Sequence, residues 1–100
     1  MGPNEKPESP LLVMERVRSL WPASVRFSHH AMDQMRKRRI DANDLSSAIN
    51  GGFVSGSRWE KEAWRYTVEG PAVDGGRIGC VIEFEESLVI VTVIRYRRRR

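Results

Sequence analysis

At Gly51-Gly52 the hydrophobic period of this chain changes, and that change constrains the fold more than any other feature. Before it, Val13, Val17, Leu20 and Trp21 fall at helical spacing, one apolar stripe of a helix that Pro22 must end. After it, Trp64, Tyr66 and Val68 alternate with Arg65, Thr67 and Glu69, and Ile78, Cys80, Ile82 and Phe84 continue the alternation. Helices followed by strands, instead of helices interleaved with them, predict an α+β fold: N-terminal helices packed on an antiparallel sheet of three or four strands. A chain of 100 residues has room for one core. The expected organisation is a flexible lead-in over 1–9, a single α+β domain over 10–96 and a basic tail over 97–100.

Local signals place the elements. Ser9 before Pro10 reads as an N-cap with proline at the first helical position. Val25 to Ser28 is short and extended, and Ser28 caps a helix from His29 to Arg38. Ala31 and Met35 share one face of that helix, while His30, Gln34 and Lys37 or Arg38 share another. Asp41 with Asp44 forms a capping box for a third helix, Leu45, Ala48 and Ile49 point inward, and the glycine pair stops it. Phe53 to Trp59 reads as a weaker strand. Turns are expected at Asp74-Gly75-Gly76 and Glu85-Glu86-Ser87. Leu88 to Ile94 is apolar on both faces, the pattern of a strand interior to a sheet and covered on both sides. Val13, Val17, Leu20, Met35, Leu45, Ile49, Ile82 and Ile90 are the expected core.

Composition narrows the class. Apolar residues make up 40% and charged residues 30%, the balance of a folded protein. A single cysteine, Cys80, leaves no intramolecular disulfide and no cysteine metal cluster, which points to a cytoplasmic location. The N-terminal stretch has no apolar signal region, and the longest apolar run falls far short of the roughly 20 residues a membrane span needs. Positive charge is concentrated at Arg36-Lys37-Arg38-Arg39 and at Arg95 with Arg97, Arg98, Arg99 and Arg100, whereas residues 51–94 carry four cations against seven anions. Two basic clusters on a small domain suit a polyanion, with RNA, DNA or an acidic protein eligible, and a solvated helix end with a solubilising tail as the plain alternative.

No metal or cofactor is expected. His29 and His30 are adjacent, so on a helix they point about 100° apart, where paired ligands need i and i+3 or i+4. Phosphate loops, dinucleotide glycine patterns and nucleophile elbows are missing. What these residues can supply is metal-free attack of an RNA 2′-hydroxyl on its own phosphate, which needs a proton carrier and a group that stabilises the phosphorane. His30 is the candidate proton carrier, Arg65 the phosphate clamp, and Thr92 and Tyr96 the hydrogen-bond donors. Each has a structural alternative: His30 as a surface or capping residue, Arg65 paired with Glu83 across the sheet, Thr92 as an ordinary strand residue, Tyr96 closing the sheet edge.

Ser28-x-His30-Ala31, then Met35, Arg38 and Ile40, then Asp44 and Leu45, resembles the start of a bacterial domain-of-unknown-function family, number 4258, whose members open with a pattern like S-x-H-A-x-x-R-M-x-x-R-G-I. Arg65 at the start of a strand, a glycine-containing turn, an apolar strand and a last strand ending in Val91-Thr92-Val93 extend the likeness over about residues 25–94. Gln34, Arg39 and Ile94 depart from it, and Tyr96 is placed to stand in for the tyrosine that often follows Thr-Val. The family is placed near the RelE and BrnT toxins of toxin–antitoxin systems, metal-independent ribonucleases with helices on an antiparallel sheet. The resemblance implies that His30, Arg65 and Thr92 occupy characteristic polar positions, that RNA or the ribosome is the target, and that an acidic antitoxin is the partner. These three residues are expected to converge on one open patch bordered by Arg38 or Tyr96. Competing expectations are a non-catalytic RNA- or DNA-binding module and a protein-interaction domain.

Overall fold

The computed structural model describes residues 6–96, so Arg97, Arg98, Arg99 and Arg100 of the tail lie outside the described residues. The chain runs α1 (Pro10–Leu20), β1 (Val25–Phe27), α2 (His29–Arg38), α3 (Ala42–Gly51), β2 (Phe53–Glu60), β3 (Ala63–Pro71), β4 (Arg77–Glu85) and β5 (Ser87–Arg95). Each helix starts at an expected cap. The Ser9 side chain accepts from the Leu12 N–H, the Ser28 side chain from Ala31, and Asp41 and Asp44 complete their reciprocal box.

The sheet has five strands, ordered β1-β5-β4-β3-β2. The expectation of three or four is corrected by β1, which pairs parallel with β5 from Val25↔Leu88 to Phe27↔Ile90; every other pairing is antiparallel. A three-residue segment is too short to display a period, and its partner lies far along the chain, so sequence pattern could mark it as extended but not as part of the sheet. Ahead of Pro10, the Glu8 N–H donates to Tyr66 Oη at 3.1 Å.

One face of the sheet makes the core. Tyr66, Val68, Ile78, Cys80, Ile82, Leu88, Ile90 and Val93 are buried there with Val13, Val17, Ala31, Leu45 and Ile49 of the three helices. Leu20 and Met35, expected inside, pack at the rim and are only partly buried. The β5 strand lies between β1 and β4 as expected, but its doubly apolar pattern has a different origin. Between Val81 and Ile82 the register shifts, pairing Thr92 with Val81 and Ile90 with Ile82. Val91 is therefore an extra residue, and the bulge changes which parity faces inward. Leu88, Ile90 and Val93 are buried, while Val89, Val91, Thr92 and Ile94 are half-buried.

Asp44 joins α3 to the β3–β4 turn. One carboxylate oxygen accepts from the Asp41 N–H at 3.1 Å and the other from the Val73 N–H at 3.0 Å, with the residue only 9% exposed. Burial by itself pushes this carboxyl's pKa up, but the two backbone hydrogen bonds and the charge of Arg95 more than offset it, leaving the group below its ordinary 3.8. The stability that the ionised form provides is therefore complete above that ordinary value and lost as pH falls through the lowered one. Asp44→Ala should destabilise the domain by about 1–3 kcal/mol at neutral pH. It should also shrink the stability lost below about pH 4, which urea titrations at several pH values would check.

The β2–β3 hairpin turns on Lys61 and Glu62, both at positive φ, 52° and 63°. Two such residues in a two-residue loop give the twist of a type I′ turn, which favours asparagine followed by glycine. Neither Lys nor Glu relieves the crowding of Cβ in that region. The double variant Lys61→Asn, Glu62→Gly should gain about 1 kcal/mol and raise the melting temperature by about 4–8 °C in a thermal scan.

Candidate functional site

Strand alternation sends Arg58, Arg65, Thr67, Val81, Glu83, Thr92 and Ile94 to the sheet face opposite the core cluster. Arg58 lies opposite Arg65, Thr67 opposite Val81, and Val81 opposite Thr92. On this open face is a depression of about 330 Å³, floored by Val81 and Ile94 and rimmed by Arg58, Glu60, Arg65 and Thr67.

Arg65 is its electrostatic centre. Its Nε donates to Glu83 Oε2 at 3.0 Å, and its Nη1 lies 3.6 Å from Glu60 Oε1, with side-chain exposures of 18% for Arg65, 16% for Glu83 and 39% for Glu60. Arg58, 74% exposed, stands on the other side of Glu60 at 3.6 Å. Two carboxylates thus flank one largely buried guanidinium, and one of them is half open to solvent. Such an arrangement can hold a planar cation rigidly, offer a carboxylate as proton acceptor and present an outer arginine to an anion.

The other expected residues fall in different places. His30 is exposed on α2 and lines a separate depression with His29, Met32, Asp33 and Arg36, whose lining does not include Arg65. The lining of the Arg65 depression includes neither His30 nor Thr92. Thr92 is half-buried on the open face beside Val81. Tyr96 lies farther along, over Gly79: a Cβ at position 79 would sit 2.9 Å from the tyrosine hydroxyl, so glycine is what makes room for the ring. Burial, and after it the negative charge of Glu69, pushes the Tyr96 hydroxyl's pKa up.

Much of the expected basic surface is internally engaged. Arg36 and Lys37 both pair with Asp33, at 2.5 and 3.1 Å, and Arg38 donates to Gln34. Arg39 is exposed and closes α2 in the left-handed region at φ 55°. Arg95 donates to the carbonyls of Arg38 and Arg39, both at 3.1 Å, so it satisfies the end of α2. Sequence reasoning singled out Arg65 and noted Glu83 as its possible mate, but not Glu60. The signal available for Glu60 was its place next to the hairpin turn, directly across from Ala63 and near Arg65.

These features define an α+β domain with a helix-covered face and a charged open face on a five-stranded, mainly antiparallel sheet. The chain belongs to the family described as Domain of unknown function (DUF4258), whose sequence pattern matches residues 27–95. The α1 helix lies outside the matched residues. No curated protein and no solved structure matches the chain.

Removing Arg65 would leave the largely buried Glu83 without its cation. Arg65→Ala should therefore cost on the order of 3 kcal/mol, while Arg58→Ala, which removes an exposed pair, should change stability by less than about 1 kcal/mol. Paired denaturant curves would check the contrast.

Proposed function

We propose that this domain acts on RNA as a metal-independent, RelE-like endoribonuclease, with the open-face depression around Arg65 as its reacting centre and an acidic antitoxin as its silencing partner. The observation that supports it is the Glu60–Arg65–Glu83 cluster in an open depression, beside the Thr67 hydroxyl and an outer arginine. A phosphate seated against Arg65 would meet a fixed positive charge where the phosphorane gathers negative charge. Glu60, the more exposed carboxylate, takes the proton of the RNA 2′-hydroxyl. The 2′-oxygen bonds to phosphorus, the bond from phosphorus to the 5′-oxygen breaks, and that oxygen takes a proton from water. The products are a 2′,3′-cyclic phosphate and a 5′-hydroxyl. Glu83, bonded to Arg65 Nε, orients the guanidinium. His30, in its own depression, is assigned to strand contact instead of proton transfer.

A second reading, a module that binds RNA without cleaving it, is favoured by one specific observation: the charge of Arg65 is already offset by two carboxylates. The two readings separate when purified protein is incubated in chelator with total RNA and with ribosomes. Wild type should yield cyclic-phosphate ends. Glu60→Gln should slow cleavage by about 100-fold or more, Arg65→Lys should lower it as well, and His30→Ala should retain most of it. Salt-dependent retention of intact RNA would install the binding module in place of the enzyme. Neither cleavage nor retention would remove RNA from the account.

A further inference from the structure

The hairpin that carries the Arg65 cluster on one face carries aromatic rings on the other, because Trp59 and Glu60 are adjacent in β2, and Trp64 and Arg65 in β3. Trp59 and Trp64 are cross-strand partners in T-shaped contact, 5.6 Å between centroids. With Tyr66 and Phe84, themselves 6.2 Å apart, they line an open depression of about 520 Å³ on the helix side of the sheet. Arg16 of α1 places its guanidinium over the Phe84 ring, 4.0 Å from the centroid. Glu8, from the segment before α1, pairs with that same guanidinium at 2.9 Å, with both side chains nearly half exposed at 48% and 44%. Trp64 Nε1 is buried with no hydrogen-bond partner, the one such side-chain nitrogen or oxygen of a non-exposed residue among the described residues.

Packing of a core edge explains the arginine over the ring and its exposed ion pair, but it leaves the Trp64 N–H without a partner. A buried N–H without an acceptor carries a cost. An arginine held over a ring keeps donors of the geometry that phosphate accepts. An ion pair this exposed contributes little, so an anion can displace the carboxylate at small cost.

We propose that this depression is a subsite for single-stranded RNA, in which a base stacks against Trp59 and Trp64 and the adjoining phosphate takes the place of the Glu8 carboxylate on Arg16. The inference rests on the reading that this domain engages RNA and adds where the strand is gripped away from the Arg65 centre. Stacking is tolerant of sequence because every base has a π-face. Because β2 is an edge strand of the sheet, a strand gripped here can pass around the hairpin from the aromatic face to the charged one. Glu8 is then a built-in competitor, an anion that holds the arginine until a phosphate arrives.

A short oligoadenylate titrated into the full chain, followed by tryptophan fluorescence and by anisotropy of an end label, tests the subsite. Binding should quench Trp59 and Trp64, leaving Trp21, which is engaged with Phe27 and Ser46 elsewhere. Trp59→Ala should weaken affinity by about 10- to 100-fold, whereas Trp59→Phe retains most of it. Glu8→Gln, a change in the N-terminal segment outside the core, should tighten binding by removing the competitor. Unchanged affinity in Trp59→Ala, with loss in Arg65→Lys, would overturn the subsite while leaving the RNA reading in place. An oligoadenylate that does not bind wild type at all would overturn both. If a lysine- and arginine-rich peptide binds instead, and Glu8→Gln weakens it, the depression recognises cations and the RNA subsite is wrong.

Discussion

The hydroxyl of Ser28 holds together the parts on which everything else rests. It accepts from the Ala31 N–H at 2.9 Å, which starts α2, and donates to the Val91 carbonyl at 2.7 Å, which lies 63 residues away at the bulge of β5. The Ser28 N–H extends the same join by donating to the Ile90 carbonyl. At the other end of the helix, Arg95 reaches back from β5 to the carbonyls of Arg38 and Arg39. α2 is thus clamped along the last strand at both ends, with Ala31 buried between. The serine at the head of the Ser-x-His-Ala pattern has a structural role, and the histidine is carried outward by the turn that the serine begins.

The bulge at Val91 decides what each face of the sheet presents. Without the extra residue, Val93 would turn away from the core that Leu88 and Ile90 enter, and Thr92 would turn into it. With it, three apolar residues of β5 enter one core, and Thr92 and Ile94 join the polar face of β3 and β4. Beyond a register shift between Val54 and Gly56, side chains alternate between faces in the hairpin of β2 and β3. Trp59 and Trp64 turn to one face and their chain neighbours Glu60 and Arg65 to the other, so two depressions lie back to back across a single layer of sheet.

The buried Arg65 pair also limits what the open face can be. A guanidinium with 18% of its side chain exposed, bonded to one carboxylate and near a second, is a fixed group that orients its surroundings. It is not a mobile cation that searches for phosphate. The more exposed groups at this site are Arg58, which pairs with Glu60 at 3.6 Å, and Glu60 itself. On the proposed reading this is why proton transfer is assigned to a carboxylate, although the sequence draws the eye to the histidine and the arginine.

What the sequence determined by itself was everything that short-range chemistry controls. Ser9, Ser28 and Asp41 announce helix starts because a side-chain oxygen reaches an N–H within three residues, and the period change at Gly51-Gly52 separates helices from strands because burial on one side forces one repeat or the other. The Arg65–Glu83 pairing was within reach for the same reason, since alternation put both on one face. Tertiary structure decided the rest. β1 is a strand only because β5 lies beside it, the bulge falls where Ser28 at the head of α2 bonds the Val91 carbonyl, and Lys61 and Glu62 take up left-handed backbone that their side chains disfavour because the hairpin's twist demands it. His30 and Arg65 were each correctly placed on the polar face of its own element, but no local rule relates the rotation of a helix to the face of a strand. That relation depends on long-range packing, and the packing gave the two residues separate depressions.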